Sequence, residues 1–183
     1  MFRFRKTLAV ITISICAIAV TITSFEFSNA APAKCIPVKP NGKTIGRINV
    51  SDISLPIKNF IYPEGGKMEP QGSTLMAAVS LRHMPLSSTI GSSVIVWHRD
   101  YKGCSNELNI FLKRQVGSTF TIKDENNEIK TYKVSKKLVV DKGGYKASWF
   151  RTIGPRQLVL VTCTGPFRNG HYEQNFVLIA EPK

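Results

Sequence analysis

The sequence has few of the residues on which metal sites and acid–base chemistry depend. It contains four cysteines and three histidines among 183 residues, and only 12 acidic side chains against 25 basic ones. No CxxC pair and no Cys/His cluster has the ligand spacing of a zinc site. The sequence therefore predicts no metal site and no cofactor.

Long apolar runs are also missing, with one exception at the N-terminus. Arg3, Arg5 and Lys6 precede an uncharged apolar run over residues 7–25, which is typical of a secretory signal or a membrane anchor. The small residues 28–30 would suit cleavage. However, the run is close to the roughly 20 residues that span a bilayer, so we favour an uncleaved anchor. Basic residues before the span place the N-terminus in the cytoplasm. We therefore expect a single-pass protein of the cell membrane with an extracellular domain.

The composition beyond that run indicates one basic domain. Residues 1–30 form the predicted signal or anchor, residues 31–44 a Pro- and Lys-rich linker, and residues 45–183 the domain. The whole chain has a formal net charge of +13. Outside the cytoplasm, attraction to an anionic cell surface explains this charge better than a nucleic-acid partner, which we do not expect. A solvated lysine-rich face is the open alternative.

Short apolar runs separated by turn residues predict a mainly β fold. Alternating or continuous apolar patterns predict strands over residues 45–50, 54–57, 94–97, 119–122, 130–135, 158–162 and 176–180. Residues 136–140 either extend the strand before them or start another. One short helix is predicted over residues 105–114, with Ser105 as its N-cap. This pattern indicates a closed or nearly closed barrel with one or two short helices.

The cysteines point to one reactive thiol. Outside the N-terminal run there are Cys35, Cys104 and Cys163, and an odd number in an exported protein suggests a free thiol or an intermolecular bond. A Cys35–Cys104 disulfide would leave Cys163 free, but the sequence leaves the pairing open. Because Cys163 follows LVLVT and precedes Gly165, we expect it at the C-terminal end of a buried strand. The alternative is a buried Cys that acts as a small hydrophobe.

His98 has a sequence position equivalent to that of Cys163. His98 follows the apolar run VIVW, so it too is expected at the exit of a buried strand. His83 lies in a loop-like stretch and His171 in a turn. A thiol attacks as the thiolate, and a neighbouring His favours that form. His98 is therefore the candidate partner of Cys163, although a lone His is often structural or simply exposed.

Several segments together resemble one known family. IVWHRD, LVLVTCTGPF, HYEQN and FVLIAEP occur in this order, with GKMEP before the His strand and VGSTFT after the helix. This combination resembles the sortases, the membrane-anchored cysteine transpeptidases of Gram-positive bacteria, and is most similar to their class F (actinobacterial) type. The resemblance spans residues 45–182 and implies a closed eight-stranded sortase-type β-barrel.

The resemblance also implies a reaction and its partners. Cys163 would attack the Thr–Gly bond of an LPXTG-like sorting signal, and His98 would protonate the leaving amine. An amine acceptor, usually from peptidoglycan or a pilin lysine, would then resolve the thioacyl enzyme. The implied partners are sorting-signal proteins and this acceptor at the cell surface.

The chain departs from the family pattern at two positions. The family usually has Gly before the His, where this chain has Trp97, and we expect Trp97 and Thr162 to contact substrate. The family's Arg follows the Cys, and Arg168 is the only Arg in that region. The catalytic role is therefore assigned to Arg168, with an exposed turn residue as the alternative. Asn175, also expected to contact substrate, could support an oxyanion instead.

Three hypotheses follow from these patterns. The favoured one is a cysteine transpeptidase. The second is a non-catalytic barrel that acts as a surface binding module, which the two departures motivate. The third is an L,D-transpeptidase, but that family places its nucleophile in a Ser-His-Gly-Cys setting that this sequence lacks.

Overall fold

The computed structural model describes residues 42–59, 84–101 and 104–183. Their strands are β1 (Thr44–Val50), β2 (Ile53–Lys58), β3 (Ser92–Trp97), β4 (Asp100–Tyr101), β5 (Cys104–Ser105), β6 (Thr119–Lys123), β7 (Ile129–Asp141), β8 (Gln157–Arg168) and β9 (His171–Pro182). The helical elements are short: 3₁₀ turns at Glu107–Asn109 and Ala147–Phe150, and one α-helical turn, α1 (Ile110–Lys113). The prediction of a mainly β chain with few helices is confirmed.

Seven of these strands form one sheet, in the order β2-β1-β6-β7-β9-β8-β3, while β4 and β5 pair separately. Neighbouring strands run antiparallel except β3 and β8, which are parallel. Within the described part of the chain, the edge strands β2 and β3 do not pair with each other. The predicted closed eight-stranded barrel is therefore not confirmed.

The sheet curls around an inner core. Side chains alternate between the two faces of a strand, and one apolar cluster contains Ile57 from one edge strand, Ile95 from the other and Phe111 from α1. Residues of both edges can share a cluster only if the sheet bends towards itself. The described strands thus form a curled half-barrel that is filled by this cluster.

A second apolar cluster lies on the outer face of the same sheet. It is built from valines of β3, β8 and β9 and is covered by Trp149 and Phe150 of the 147–150 turn. Trp149 is 2% exposed, so the long connection from β7 to β8 packs across this face. The connection thus starts after β7 and ends at the start of β8, the strand that carries Cys163.

Two local predictions were wrong. Thr164, Gly165 and Pro166 were expected to end the strand of Cys163, yet β8 continues to Arg168 because β9 pairs with it on both sides of a register shift. Ser105 was expected to cap the helix, but it lies in β5, and the side chain of Asn106 accepts the hydrogen bond from the Leu108 N–H at 2.9 Å. Both residue types are good caps, so composition alone did not separate them.

Several predicted features lie outside the described residues. These are the anchor at residues 1–30, most of the linker, the GKMEP segment and His83. Among residues 42–59, 84–101 and 104–183, no helix is long and apolar enough to cross a membrane.

Candidate active site

Apolar rows on four adjacent strands lead to polar residues at one edge of the outer cluster. In a strand, every second side chain lies on the same face. On β3, Val94 and Val96 lead to His98, and on β8, Val159 and Val161 lead to Cys163. On β9, Ile179 and Val177 lead to Asn175, and on β7, Leu138 and Val140 lead to Lys142, which directly follows the strand. We call His98, Cys163, Asn175 and Lys142 the polar row ends.

The strand register brings the polar row ends together. Trp97 pairs with Thr162 in the parallel ladder of β3 and β8, so His98 follows at the level of Cys163. Cys163 pairs directly with Asn175 across β8 and β9. Because neighbouring strands are about 4.8 Å apart, the backbones of His98, Cys163 and Asn175 lie close together at one edge of the sheet. The backbone of His98 thus lies beside that of Cys163, and the catalytic pairing of their side chains stays a prediction.

The thiol of Cys163 is free and half-buried. Cys104, in contrast, is disulfide-bonded. The disulfide of Cys104 therefore does not involve Cys163. Cys35, the partner considered for Cys104, lies outside the described residues.

A bulge follows directly after the nucleophile candidate. The β8–β9 register shifts between Thr164 and Phe167, and Gly165 has a φ of +79°, which only glycine adopts without strain. A Cβ on Gly165 would lie 2.5 Å from Oε1 of Gln174. Pro166 is tolerated here because bulges leave backbone N–H groups unpaired. Cys163 therefore lies inside a paired ladder, next to a bend, rather than at a strand end.

Sequence reasoning missed two residues that complete the site. The ammonium Nζ of Lys142 lies 3.2 Å from Sγ of Cys163 and 2.9 Å from Oδ1 of Asn175. Nδ2 of Asn175 in turn donates to the hydroxyl of Tyr145 at 3.0 Å. Leu138 and Val140 lie on the same face of β7, and the next residue on that face, two positions further along, is Lys142. This alternation could have identified Lys142 from the sequence.

The predicted substrate-contacting residues are mostly buried. Trp97 is 2% exposed, donates its indole N–H to Oδ1 of Asn109 at 3.1 Å and packs against Phe111. Thr162 is 3% exposed and donates to the carbonyl of Trp97 at 2.8 Å. Asn175 is also buried but belongs to the network at Cys163. Substrate contact by Trp97 or Thr162 would require exposure that this structure does not give them.

Arg168 lies apart from the polar row ends. It pairs with His171 at the tip of the β8–β9 hairpin, five positions after Cys163. Its side chain is 69% exposed, and Nη1 lies 3.7 Å from Oε1 of Glu173. The structure does not bring the Arg168 guanidinium into contact with Cys163, and its catalytic role stays a prediction.

A second polar group lies on the other side of β8. Thr164 follows Cys163 on β8, so its side chain lies on the opposite face of the strand, and Nη1 of Arg99 donates to its Oγ1 at 3.3 Å. The Arg99 guanidinium also stacks on the ring of Tyr172, at 5.0 Å from its centroid. The hydroxyl of Tyr172 donates to the Asp100 carboxylate. That bond raises the pKa of Tyr172, and burial and the negative charge raise it further, against the opposing effect of Arg99.

The chemistry available at the site is nucleophilic. A thiol beside an imidazole can form and release an acyl intermediate, and an amide and an ammonium next to the sulfur can stabilise developing charge. Among the described side chains, no three His, Cys, Asp or Glu residues lie close enough to share a metal ion.

Comparison with known proteins identifies the family. The family model described as a sortase domain matches residues 47–183. A lid mutant of sortase A from Corynebacterium diphtheriae aligns with a TM-score of 0.60 at 18% identity, over 79% of this chain and 73% of that one. Sortase C-1 from Actinomyces oris aligns with a TM-score of 0.60 at 17% identity, over 77% and 73%. Sortase C2 of pilus island 1 from group B Streptococcus gives 0.58 at 17%, over 76% and 74%.

Sequence identities of 17–18% to these structures show a common fold but not a shared substrate or sortase class. No curated protein sequence matches this chain significantly. The sortase-domain model, however, covers most of the chain, including β3, which His98 directly follows, and β8, which carries Cys163. This protein belongs to the sortase family.

Proposed function

We propose that this protein is a cysteine transpeptidase that cleaves an LPXTG-like sorting signal between Thr and Gly and transfers the acyl group to an amine. The observation that carries the proposal is the position of His98 at the level of a free, half-exposed Cys163. Membership of the sortase family supports it. The resemblance to class F remains a prediction, since the compared structures are sortases A and C.

The reaction has two steps, acylation of Cys163 and transfer of the acyl group to the amine. The Cys163 thiolate attacks the carbonyl carbon of the Thr residue, the C–S bond forms, and the C–N bond to Gly breaks as His98 gives its proton to the leaving amine. The acceptor amine then attacks the thioester, loses a proton to His98 and expels the sulfur as thiolate. Cys163 is half-exposed, which supports access to its side chain for the sorting peptide and then for the amine.

The proposed setting is the outer surface of a Gram-positive cell. The N-terminal run would anchor the chain in the membrane, and the domain would meet sorting-signal proteins and an amine of peptidoglycan or of a pilin lysine. The basic composition would favour an anionic surface.

The test is a ligation assay with the full-length chain, an LPXTG peptide and triglycine, read by mass spectrometry. We expect a ligated product that Cys163→Ala abolishes. His98→Ala should slow ligation by about 10²–10⁴-fold, the usual contribution of general acid–base catalysis. His171→Ala is the matched control, because His171 is exposed at the hairpin tip, and we expect it to leave the rate unchanged.

A negative result would favour the alternative function. If several sorting motifs give neither cleavage nor ligation while Cys163 is shown to be reduced, the chain is better explained as a non-catalytic sortase-like barrel that binds at the cell surface.

A further inference from the structure

The ammonium of Lys142 is the charged group that the structure places against the nucleophile. It lies 3.2 Å from Sγ of Cys163 and 2.9 Å from Oδ1 of Asn175. We propose that Lys142 stabilises the oxyanion of the tetrahedral intermediates at Cys163, the role that the family resemblance assigned to Arg168. The inference deepens, and depends on, the proposed transpeptidase function.

The backbone of Lys142 is fixed beside the site. Its N–H donates to the carbonyl of Glu173 on β9 at 3.1 Å, and the N–H of Gly144 closes a turn onto the carbonyl of Asp141 at 2.9 Å. Gly143 takes a φ of +86° within this turn, which suits glycine. The chain is therefore held against β9 at the position from which a lysine side chain reaches Cys163.

The buried amide of Asn175 holds the ammonium in place. A lysine ammonium only donates hydrogen bonds, so the amide oxygen must face Lys142 and the amide nitrogen must face away. That nitrogen donates to the hydroxyl of Tyr145 at 3.0 Å. Because Asn175 is 2% exposed and is bonded at both ends, it acts as a rigid support for the charge of Lys142.

The charge of Lys142 is available to an anion. Among the described side chains, no carboxylate lies within the 4.0 Å ion-pair distance of its Nζ. Arg168, in contrast, is paired with Glu173. Arg99 donates to Thr164 on the opposite face of β8. Of these three cations, Lys142 is the one that contacts the reacting sulfur.

The contact with the sulfur also gives access to the oxyanion. When Sγ of Cys163 bonds to the carbonyl carbon, the π electrons move to an oxygen that is attached to that same carbon. The ammonium of Lys142 then donates a hydrogen bond to this oxygen without losing its proton. When the C–N bond breaks, the carbonyl reforms and the leaving nitrogen takes its proton from His98. A donor held in place before the reaction stabilises such charge most effectively.

The experiment compares Lys142→Met with Lys133→Met. Lys133 is an exposed lysine of β7, the strand that Lys142 directly follows, and its loss changes the net charge equally. Lys142→Met should lower the kcat for peptide ligation by about 10²–10³-fold, the usual cost of one oxyanion donor, with little change in KM. Lys142→Arg should recover part of the rate. Lys142 is exposed, so the melting temperature should stay close to wild type.

Two results would overturn the inference. One is a Lys142→Met enzyme with a kcat within about threefold of wild type. The other is a loss of turnover in Arg168→Gln that Lys142→Met does not share. A failure of the proposed transpeptidase function can be told apart from a failure of the Lys142 inference. In that case the wild-type chain itself would give no more ligation than Cys163→Ala, and the inference would be refuted as well.

Discussion

Replacing Trp97 by Ala tests whether this residue builds the core or the substrate groove. Trp97 directly precedes His98, where the family usually has Gly. Its ring is 2% exposed, lies 6.2 Å from the ring of Phe111 by centroids, and donates to Oδ1 of Asn109 at 3.1 Å. Asn109 also donates to the carbonyl of Arg99 at 2.8 Å. The indole therefore supports both the inner core and the backbone that follows His98.

Trp97→Ala should strongly lower the free energy of unfolding. Truncating a buried Trp to Ala typically lowers the free energy of unfolding by about 3–5 kcal/mol, because it removes apolar contacts and leaves a cavity. Total stabilities of domains are about 5–15 kcal/mol, so Trp97→Ala should remove a large part of the stability. Trp97→Phe keeps most of the ring but leaves Oδ1 of Asn109 without its donor, which should cost about 1–3 kcal/mol.

The assay is urea unfolding followed by far-ultraviolet circular dichroism, together with ligation kinetics below the unfolding transition. Trp97→Ala should shift the unfolding midpoint strongly, and Trp97→Phe should fall between it and wild type. An Ala variant whose stability lies within about 1 kcal/mol of wild type, combined with a raised KM for the sorting peptide, would refute the reasoning. It would instead show that Trp97 belongs to the groove.

Two further predictions concern the surroundings of the site. Gly165→Ala should lower stability and ligation, because a positive φ costs a non-Gly residue about 1–3 kcal/mol and the new Cβ would collide with Gln174. Gly143→Ala has a similar φ but no atom within 4 Å of its Cβ, so thermal unfolding should show a smaller loss, and equal losses would contradict the account. The raised pKa of Tyr172 means that its contribution to stability is complete below pH of about 10 and disappears as the pH rises through the folded-state pKa. Asp100→Asn should lower that pKa in an ultraviolet absorbance titration, and an unchanged titration would show that Asp100 is not the cause.

The strand pattern of this chain could be predicted because buried strands have a strong sequence signal. The runs VIVW and LVLVT are apolar on both faces. LVLVT lies in β8, inside the sheet, and VIVW lies in β3, an edge strand whose residues are all buried. Their equivalent positions before His98 and Cys163 then follow from the parallel pairing of β3 and β8. The pairing itself is a long-range property, which the sequence suggested only through the family resemblance.

Residues that usually end strands gave the least reliable predictions of strand boundaries. Gly165 and Pro166 usually end a strand, but pairing with β9 on both sides of the bulge keeps β8 continuous. Here the tertiary ladder outweighs local propensity.

The row of Leu138 and Val140 leads to position 142, but the contact between Lys142 and Cys163 depends on how the strands pair. The two residues are 21 positions apart and meet because β7 and β8 both flank β9. Arg168 was chosen by its order in the chain, whereas the structure places Lys142 next to the sulfur. The family resemblance thus suggested a cation near the thiol, and the structure adds Lys142 as a second candidate beside Arg168.

The most direct test of the central claim is the intact mass of the full-length chain mixed with an LPXTG peptide in the absence of an amine acceptor. The account predicts a thioacyl adduct whose mass corresponds to the peptide up to Thr, located on Cys163 by peptide mapping and released by hydroxylamine. No adduct on reduced Cys163, or an adduct on another residue, would contradict it.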